Sequence, residues 1–151
     1  MALTTTTHLN FRGTARAALE FYQRVFGGDL SIATYGDFGA PAGTPGADGV
    51  VFGVLNGAVR LMAYDVPGGD GASVDVASVA GSTRRENGMT FTDRAFFQSL
   101  RADSLEEATA SWEALADGAN IIEPLTASAW SAGFGMLTDR FGVTWVVDVA
   151  A

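Results

Sequence analysis

The sequence predicts an α+β chain made of two βαβββ modules that together form a curved, trough-like mixed sheet with helices on its outer face. Two internal repeats carry this reading. The segment Thr14 to Gly28 (TARAALEFYQRVFGG) has helical apolar spacing and a glycine stop, and Ser104 to Gly118 (SLEEATASWEALADG) has the same length. Behind the first, Phe52-Gly53-Val54-Leu55-Asn56-Gly57 is echoed by Phe134-Gly135-Met136-Leu137 and the turn Thr138-Asp139-Arg140-Phe141-Gly142. A repeat on this scale defines architecture before any single element is assigned. The 151 residues suffice for one domain of two small modules. Module one is expected at residues 4–66, a linker at 67–90 and module two at 91–151. A helix on one face of a four-stranded sheet leaves the other face open, and two such sheets side by side would enclose a ligand trough.

The elements follow in order. Leu9 and Phe11 alternate with His8 and Asn10, as in a half-buried strand. Thr14 is an N-cap candidate. Ala18, Phe21, Tyr22, Val25 and Phe26 recur on one helical face until Gly27-Gly28. Asp29 to Tyr35 reads as a strand. Gly36 to Gly49, with five glycines and two prolines, reads as a mobile loop. Val50 to Leu55 and Ala58 to Tyr64 suit a hairpin around Asn56-Gly57, a two-residue turn signal. A strand near Phe96 to Arg101 opens the second half, followed by a Ser104–Glu107 capping box and an apolar helix face of Ala108, Trp112 and Leu115. Asn120 to Glu123 is a strand that Pro124 confines to an edge or an end. Ala132 to Thr138 and Val143 to Val149 form the last hairpin.

Composition excludes several function classes. A formal net charge of -8 disfavours nucleic acid and anionic membranes as partners. With no cysteine, disulfides, thiolate metal sites and cysteine nucleophiles are absent. Neither a signal peptide nor a membrane-length apolar run is visible, so a cytoplasmic location is expected. Asp65, Asp70 and Asp75 are too irregularly spaced for a calcium loop.

Side-chain parity supplies the pocket candidates. Arg60, Met62 and Tyr64 alternate with Val59, Leu61 and Ala63; if the latter pack on the helix, the former line the open face with His8 and Asn10. Arg60 would suit a ligand carboxylate or phosphate, or else a surface acid. Val146, Thr144 and Asp148 share the corresponding face of the last strand, whereas Trp145 packs with Val143 and Val147 against the helix. Trp130 and Phe134 stand near a strand entrance, where an aromatic pair serves a pocket or the core. Arg84-Arg85 is an exposed pair, or a clamp for an anion or a partner. His8, the only histidine, is the single candidate general base.

Leu9-Asn10-Phe11-Arg12-Gly13, Ala18-Leu19-Glu20-Phe21-Tyr22, Phe26-Gly27-Gly28, and the closing Trp130, Phe134-Gly135-Met136, Asp139-Arg140-Phe141-Gly142-Val143 and Trp145 resemble PhnB-like proteins of the vicinal oxygen chelate superfamily. That group includes glyoxalase I, bleomycin-resistance proteins and extradiol dioxygenases. Relatives labelled demethylubiquinone methyltransferase-like exist, but no glycine-rich nucleotide fingerprint stands here between a strand and a helix. The resemblance implies the glyoxalase/bleomycin-resistance fold, a homodimer, and divalent-metal ligands on the first and fourth strand of each half. Those positions map to His8, to Gln98 or Ser99 (one residue of register flips the facing), and to the neighbourhoods of Met62 and Val146. The third-strand histidine of many relatives maps to Phe52. Carboxylates are missing where they are needed, so no metal or other cofactor is expected. The resulting expectation is a cytoplasmic, homodimeric small-molecule-binding protein whose pocket draws on His8, Asn10, Arg60, Met62, Tyr64, Gln98, Trp130, Phe134, Val146 and Asp148. Two rivals stand beside it. One is a metal-dependent lyase, isomerase or dioxygenase with unconventional ligands among His8, Gln98, Asp148 and Glu123. The other is a protein-interaction module whose trough is filled by Met62, Phe97 and Trp130.

Overall fold

The structure is a computed structural model that describes residues 2–69 and 74–151, so Asp70 lies outside the described residues. The chain falls into two compact units, Met1–Ser73 and Val74–Ala151. The first contains β1 (Thr7–Phe11), α1 (Ala15–Phe26), β2 (Asp29–Thr34), a 3-10 turn (Gly36–Phe38), β3 (Val50–Asn56) and β4 (Leu61–Asp65). The second contains α2 (Val76–Ala80), β5 (Arg84–Glu86), β6 (Met89–Phe91), β7 (Gln98–Ala102), α3 (Leu105–Ala116), β8 (Asn120–Thr126), β9 (Phe134–Thr138) and β10 (Thr144–Val149). Each unit has a four-stranded mixed sheet of equivalent topology, β1-β4-β3-β2 and β7-β10-β9-β8, with one parallel pair (β1–β4, β7–β10) and two antiparallel ones. This is the α+β class and the βαβββ repeat that the two segment echoes predict.

In the first unit α1 covers one sheet face. Ala15, Ala18, Leu19, Phe21 and Tyr22 are its buried residues, so Leu19 joins the predicted stripe while Val25 and Phe26 are only half-buried. The sheet side of this core is Leu9, Phe11, Leu55, Leu61 and Ala63. The helix can settle because Gly53 has no side chain: a Cβ there would lie 2.4 Å from Leu19 Cδ1. Gly135 repeats the device in the second unit, where a Cβ would lie 2.8 Å from Trp112 Cζ3 of α3. The repeated Phe-Gly dipeptide is thus a helix-docking feature, required by close packing.

Two buried aspartates organise the unit ends. Asp65 Oδ1 accepts from the Gly13 and Ala15 amides at 2.8 and 3.0 Å, and Oδ2 accepts from Val50 N at 2.8 Å. Thr14 occupies the N-cap of α1, but its side chain makes no capping bond; the Asp65 carboxylate takes that role, an anion placed where a helix N-terminus favours one. In the second unit Asp139 Oδ1 accepts from Phe141 N and Val143 N at 2.8 and 3.1 Å, and Oδ2 accepts from Trp145 Nε1 at 2.8 Å. The segment from Asp139 to Trp145 is therefore a turn tied to its own strand, and Trp145 is core, as parity predicts.

Four local expectations are revised. Asn56-Gly57 is not a two-residue turn: Leu55 pairs with Leu61, and neither residue has the positive φ that such a turn requires. Gly57 instead lies against Gly28, whose Cα would be 3.0 Å from an added Cβ. The two-residue turn is Asn87-Gly88, φ 52° and 76°, joining β5 to β6 inside the stretch read as linker. The 36–49 loop closes on itself through Tyr35 N→Gly49 O and Gly36 N→Ala47 O, with Ala47 buried. Ser104 caps α3 through Glu107 N, but the Glu107 carboxylate takes the Asp103 amide, not that of Ser104. Pro124 sits inside β8, an edge strand with register shifts on both sides of Glu123, as proline requires.

Gly53→Ala and Gly135→Ala are each expected to destabilise the protein by about 1–3 kcal/mol through overpacking, read as a lower urea midpoint. Asp139→Ala, which strands three donors, is expected to cost about 2–4 kcal/mol and to shift Trp145 fluorescence toward that of solvated indole.

Candidate functional site

Register divides each sheet into a helix-covered and a second face. In the first unit His8 pairs with Met62, Asn10 with Tyr64, and Met62 with Val54. These side chains share the face opposite α1, and Phe52 joins them two residues from Val54. His8, Asn10 and Phe52 are exposed, while Val54, Met62 and Tyr64 are half-buried. His8 Nδ1 hydrogen-bonds Asn10 Oδ1 at 3.1 Å, and its ring meets Tyr64 edge-on at 5.2 Å between centroids. Because a carboxamide oxygen only accepts, Nδ1 is the donor in this bond; in the neutral imidazole Nε2 then carries the lone pair. The face is thus an apolar and aromatic patch with one oriented imidazole. Arg60 is exposed in the turn before β4, outside the strands that form this face.

In the second unit the equivalent face holds Ser99 and Val146, which pair with each other, and Asp148, which pairs with Phe134. Gln98 pairs with Trp145 and therefore stands on the helix-covered face. The position equivalent to His8 is Ser99, so the pocket assignment of Gln98 is corrected by one residue of register. Asp148 Oδ2 is bound by Arg101 Nη2 at 2.9 Å. Trp130 is corrected too: at 95% exposure it lines no enclosed pocket and stands in a turn in which Ser128 Oγ accepts from Trp130 N and Ser131 N.

This second face is roofed from within its own unit. The Arg85 guanidinium lies 4.3 Å from the Phe134 ring centroid, and Arg85 Nη1 donates to Thr90 Oγ1. Thr90 Oγ1 in turn contacts Met136 Sδ at 3.6 Å, and Met136 is fully buried. Arg84 stacks on Phe91 and pairs with Glu86. The Arg84-Arg85 pair is therefore engaged inside the chain, holding the β5–β6 hairpin over β9. Nothing in the residues 84–91 read alone signals this, because a cation on a ring some 49 positions away has no local pattern.

A hard divalent cation needs three or more converging donors. Among the described residues no three His, Asp or Glu side chains come together. The register partner of His8 is Met62 and that of Ser99 is Val146, so the superfamily's donor positions do not fit a metal here. Among the described residues no helix is long and apolar enough to cross a membrane.

With this geometry in view, comparison places the chain among known proteins. The family model described as Glyoxalase/Bleomycin resistance protein/Dioxygenase superfamily matches residues 7–147. Protein YjdN of Escherichia coli strain K12 is 26% identical over 152 residues, covering 94% of this chain and 92% of the relative. The solved structure of protein PA1353 from Pseudomonas aeruginosa is 31% identical with a TM-score of 0.72, covering 98% of both chains. The PhnB protein from Bacillus cereus shares the fold at 24% identity and a TM-score of 0.68, over 98% of this chain and 100% of that one, in keeping with the PhnB-like resemblance of the sequence.

Removing the roofing cation tests the second-unit arrangement. Arg85→Ala is expected to speed amide exchange across residues 84–91 by about tenfold, as the loss of roughly 1–2 kcal/mol of cation–π contact implies, with the thermal midpoint little changed.

Proposed function

The chain belongs to the Glyoxalase/Bleomycin resistance protein/Dioxygenase superfamily, and from that premise we propose that it is a small-molecule-binding member that works without the divalent metal of its enzymatic relatives. The observation that carries this reading is the first-unit face, where Met62 and Tyr64 of β4, then Val54 and Phe52 of β3, lie beside the hydrogen-bonded pair His8 and Asn10 on the edge strand β1. Binding sites for organic ligands are mostly apolar with a few placed polar groups, and this face has that make-up, whereas a metal would need carboxylates in place of Met62. Phe134 and Met136, on the corresponding face of the second unit, are covered by the β5–β6 hairpin of that unit. The reading carries with it a cytoplasmic location and a homodimer.

A second reading rests on the His8–Asn10 bond. With Nδ1–H held by Asn10, the neutral imidazole presents Nε2 as an acceptor, the arrangement of a general base. Under this reading the protein catalyses a metal-independent proton transfer, with Asn10 as the positioning residue for His8.

Thermal melts with chelator and with added nickel, zinc, manganese or iron test the metal-free proposal. Midpoints within about 1 °C of one another are expected; a rise of several degrees with one ion, reversed by chelator and absent in His8→Ala, would establish a metal site instead. A ligand found by screening is expected to perturb Phe52, Val54, Met62 and Tyr64 resonances and to bind at least about tenfold more weakly to Tyr64→Ala. Ligands that perturb none of these residues would remove the site.

A further inference from the structure

Two Asn-Gly dipeptides occur in the chain, Asn56-Gly57 and Asn87-Gly88. In such a pair the side-chain carboxamide is open to attack by the next backbone nitrogen, because glycine has no side chain to shield that nitrogen or to restrict the backbone. The two copies stand in opposite surroundings. Gly57 is wedged: a Cβ on it would lie 3.0 Å from Gly28 Cα, and a Cβ on Gly28 would lie 2.9 Å from Asn56 O. Asn56 is also held in β3 opposite Asp29. A Cβ on Gly88 would meet nothing within 4 Å, and both Asn87 and Gly88 are exposed.

The second copy is the tip of the β5–β6 hairpin. Among the described residues Asn87 is the only non-glycine residue with a positive φ, a region that asparagine visits more readily than most. Among the described residues neither the Asn87 carboxamide nor the Gly88 amide makes a hydrogen bond, so both reacting groups are free. The hairpin is closed at its root by the 2.7 Å bond between Thr83 Oγ1 and Thr92 Oγ1, and further out by Arg85 Nη1 donating to Thr90 Oγ1. Each strand has three residues, and so short a two-stranded ribbon frays from its tip. The contacts that hold it down, Arg85 on Phe134 and Thr90 on Met136, lie only one strand pair further in than the pair flanking the turn.

We propose that Asn87 is a site of spontaneous deamidation, and that its isoaspartate product releases the hairpin from the second-unit sheet. When the tip opens, Gly88 N attacks Asn87 Cγ. The new C–N bond closes a succinimide, the Cγ–Nδ2 bond breaks, and Nδ2 leaves as ammonia with the proton lost from Gly88 N. Water then opens the ring. Cleavage at Cγ gives aspartate, and cleavage at the Asn87 carbonyl carbon gives isoaspartate. Water enters and ammonia leaves, with no redox partner, and either product adds a negative charge.

Isoaspartate routes the main chain through Cβ and Cγ, which lengthens the backbone of a two-residue turn by one atom. The flanking pair Glu86–Met89 then loses its spacing, and the distortion passes to Arg85–Thr90, the pair that touches Phe134 and Met136. Aspartate leaves the backbone as it was and keeps the turn. Opening and conversion favour each other, because the open tip reacts and the reacted tip stays open. The modification is a one-way uncovering of the second-unit face, and it stands independently of the ligand face of the first unit.

The test is to age the unaltered protein in warm, mildly alkaline buffer and to follow it by peptide mapping with isoaspartyl methyltransferase labelling and by amide exchange over residues 84–91. Isoaspartate at residue 87 is expected to accumulate at least about tenfold faster than at residue 56, and the converted fraction is expected to exchange its 84–91 amides faster than fresh protein. Arg85→Ala is expected to speed the conversion by the same factor as it speeds exchange. Asn87→Gly, which keeps a turn former but has no carboxamide, is expected to age without loosening. Freshly purified Asn87→Asp, which has the charge without the added backbone atom, is expected to exchange like the unaltered protein. No isoaspartate at residue 87, equal or earlier conversion at residue 56, conversion that leaves 84–91 exchange unaltered, or equal loosening in Asn87→Asp would overturn the proposal. Should Asn87→Gly loosen the hairpin by itself, the comparison of residues 87 and 56 within the unaltered protein decides.

Discussion

The first unit depends on one carboxylate. Asp65 ends β4, yet it binds the amides that open α1 and the amide that opens β3. Three chain segments, separated by 52 residues at one extreme, are thereby held at one point. A buried carboxylate with three N–H donors is stable because each bond is charge-assisted, and it directs α1 onto the sheet through geometry that apolar contact alone would leave loose. In the second unit Val149 occupies the equivalent register position, and the polar anchor is displaced to Asp139, where it ties a turn to the indole of Trp145. The two halves thus share a topology and the small residue beneath each helix, but not their polar anchors.

That difference explains what the sequence revealed. Strand–helix periodicity and the repeated Phe-Gly dipeptide are local signals, so the module order, both main helices and the burial of Trp145 were legible. Asp65 looked like one acid among the sparse acids of a linker, because a residue that caps a helix 50 positions earlier leaves no trace in its own neighbourhood. The Asn-Gly signal was read at the wrong copy: Asn56-Gly57 and Asn87-Gly88 are identical dipeptides, and only the close approach of Gly28 to Gly57 shows why the first cannot form the tight turn. Alternation put His8, Asn10, Met62 and Tyr64 on one face, and the strand register has them there. Gln98 failed because its strand carries no strong alternation to fix the register, and Trp130 failed because aromaticity says nothing about facing at a turn.

The sheet of the first unit separates two kinds of chemistry. On one face an imidazole stands among aromatic and thioether side chains, suited to organic ligands with modest polarity. On the other the Asp65 carboxylate and the Tyr35 phenol line a cavity. The backbone between them is a single β4 strand in which Tyr64 and Asp65 are neighbours pointing opposite ways.

The β5–β6 hairpin has a consequence for how such a protein changes over generations. A doubled module begins with two equivalent faces, each free to accept substitutions that alter what it touches. Once Arg85 and Thr90 of the hairpin settle on Phe134 and Met136, replacements on that face are filtered for fit against a neighbour, as in any core. The face of His8 and Phe52 meets no such filter from within its own unit. Substitutions at Phe134 and Met136 must therefore fit the hairpin, whereas those at His8 and Phe52 meet no covering element among the described residues of their own unit.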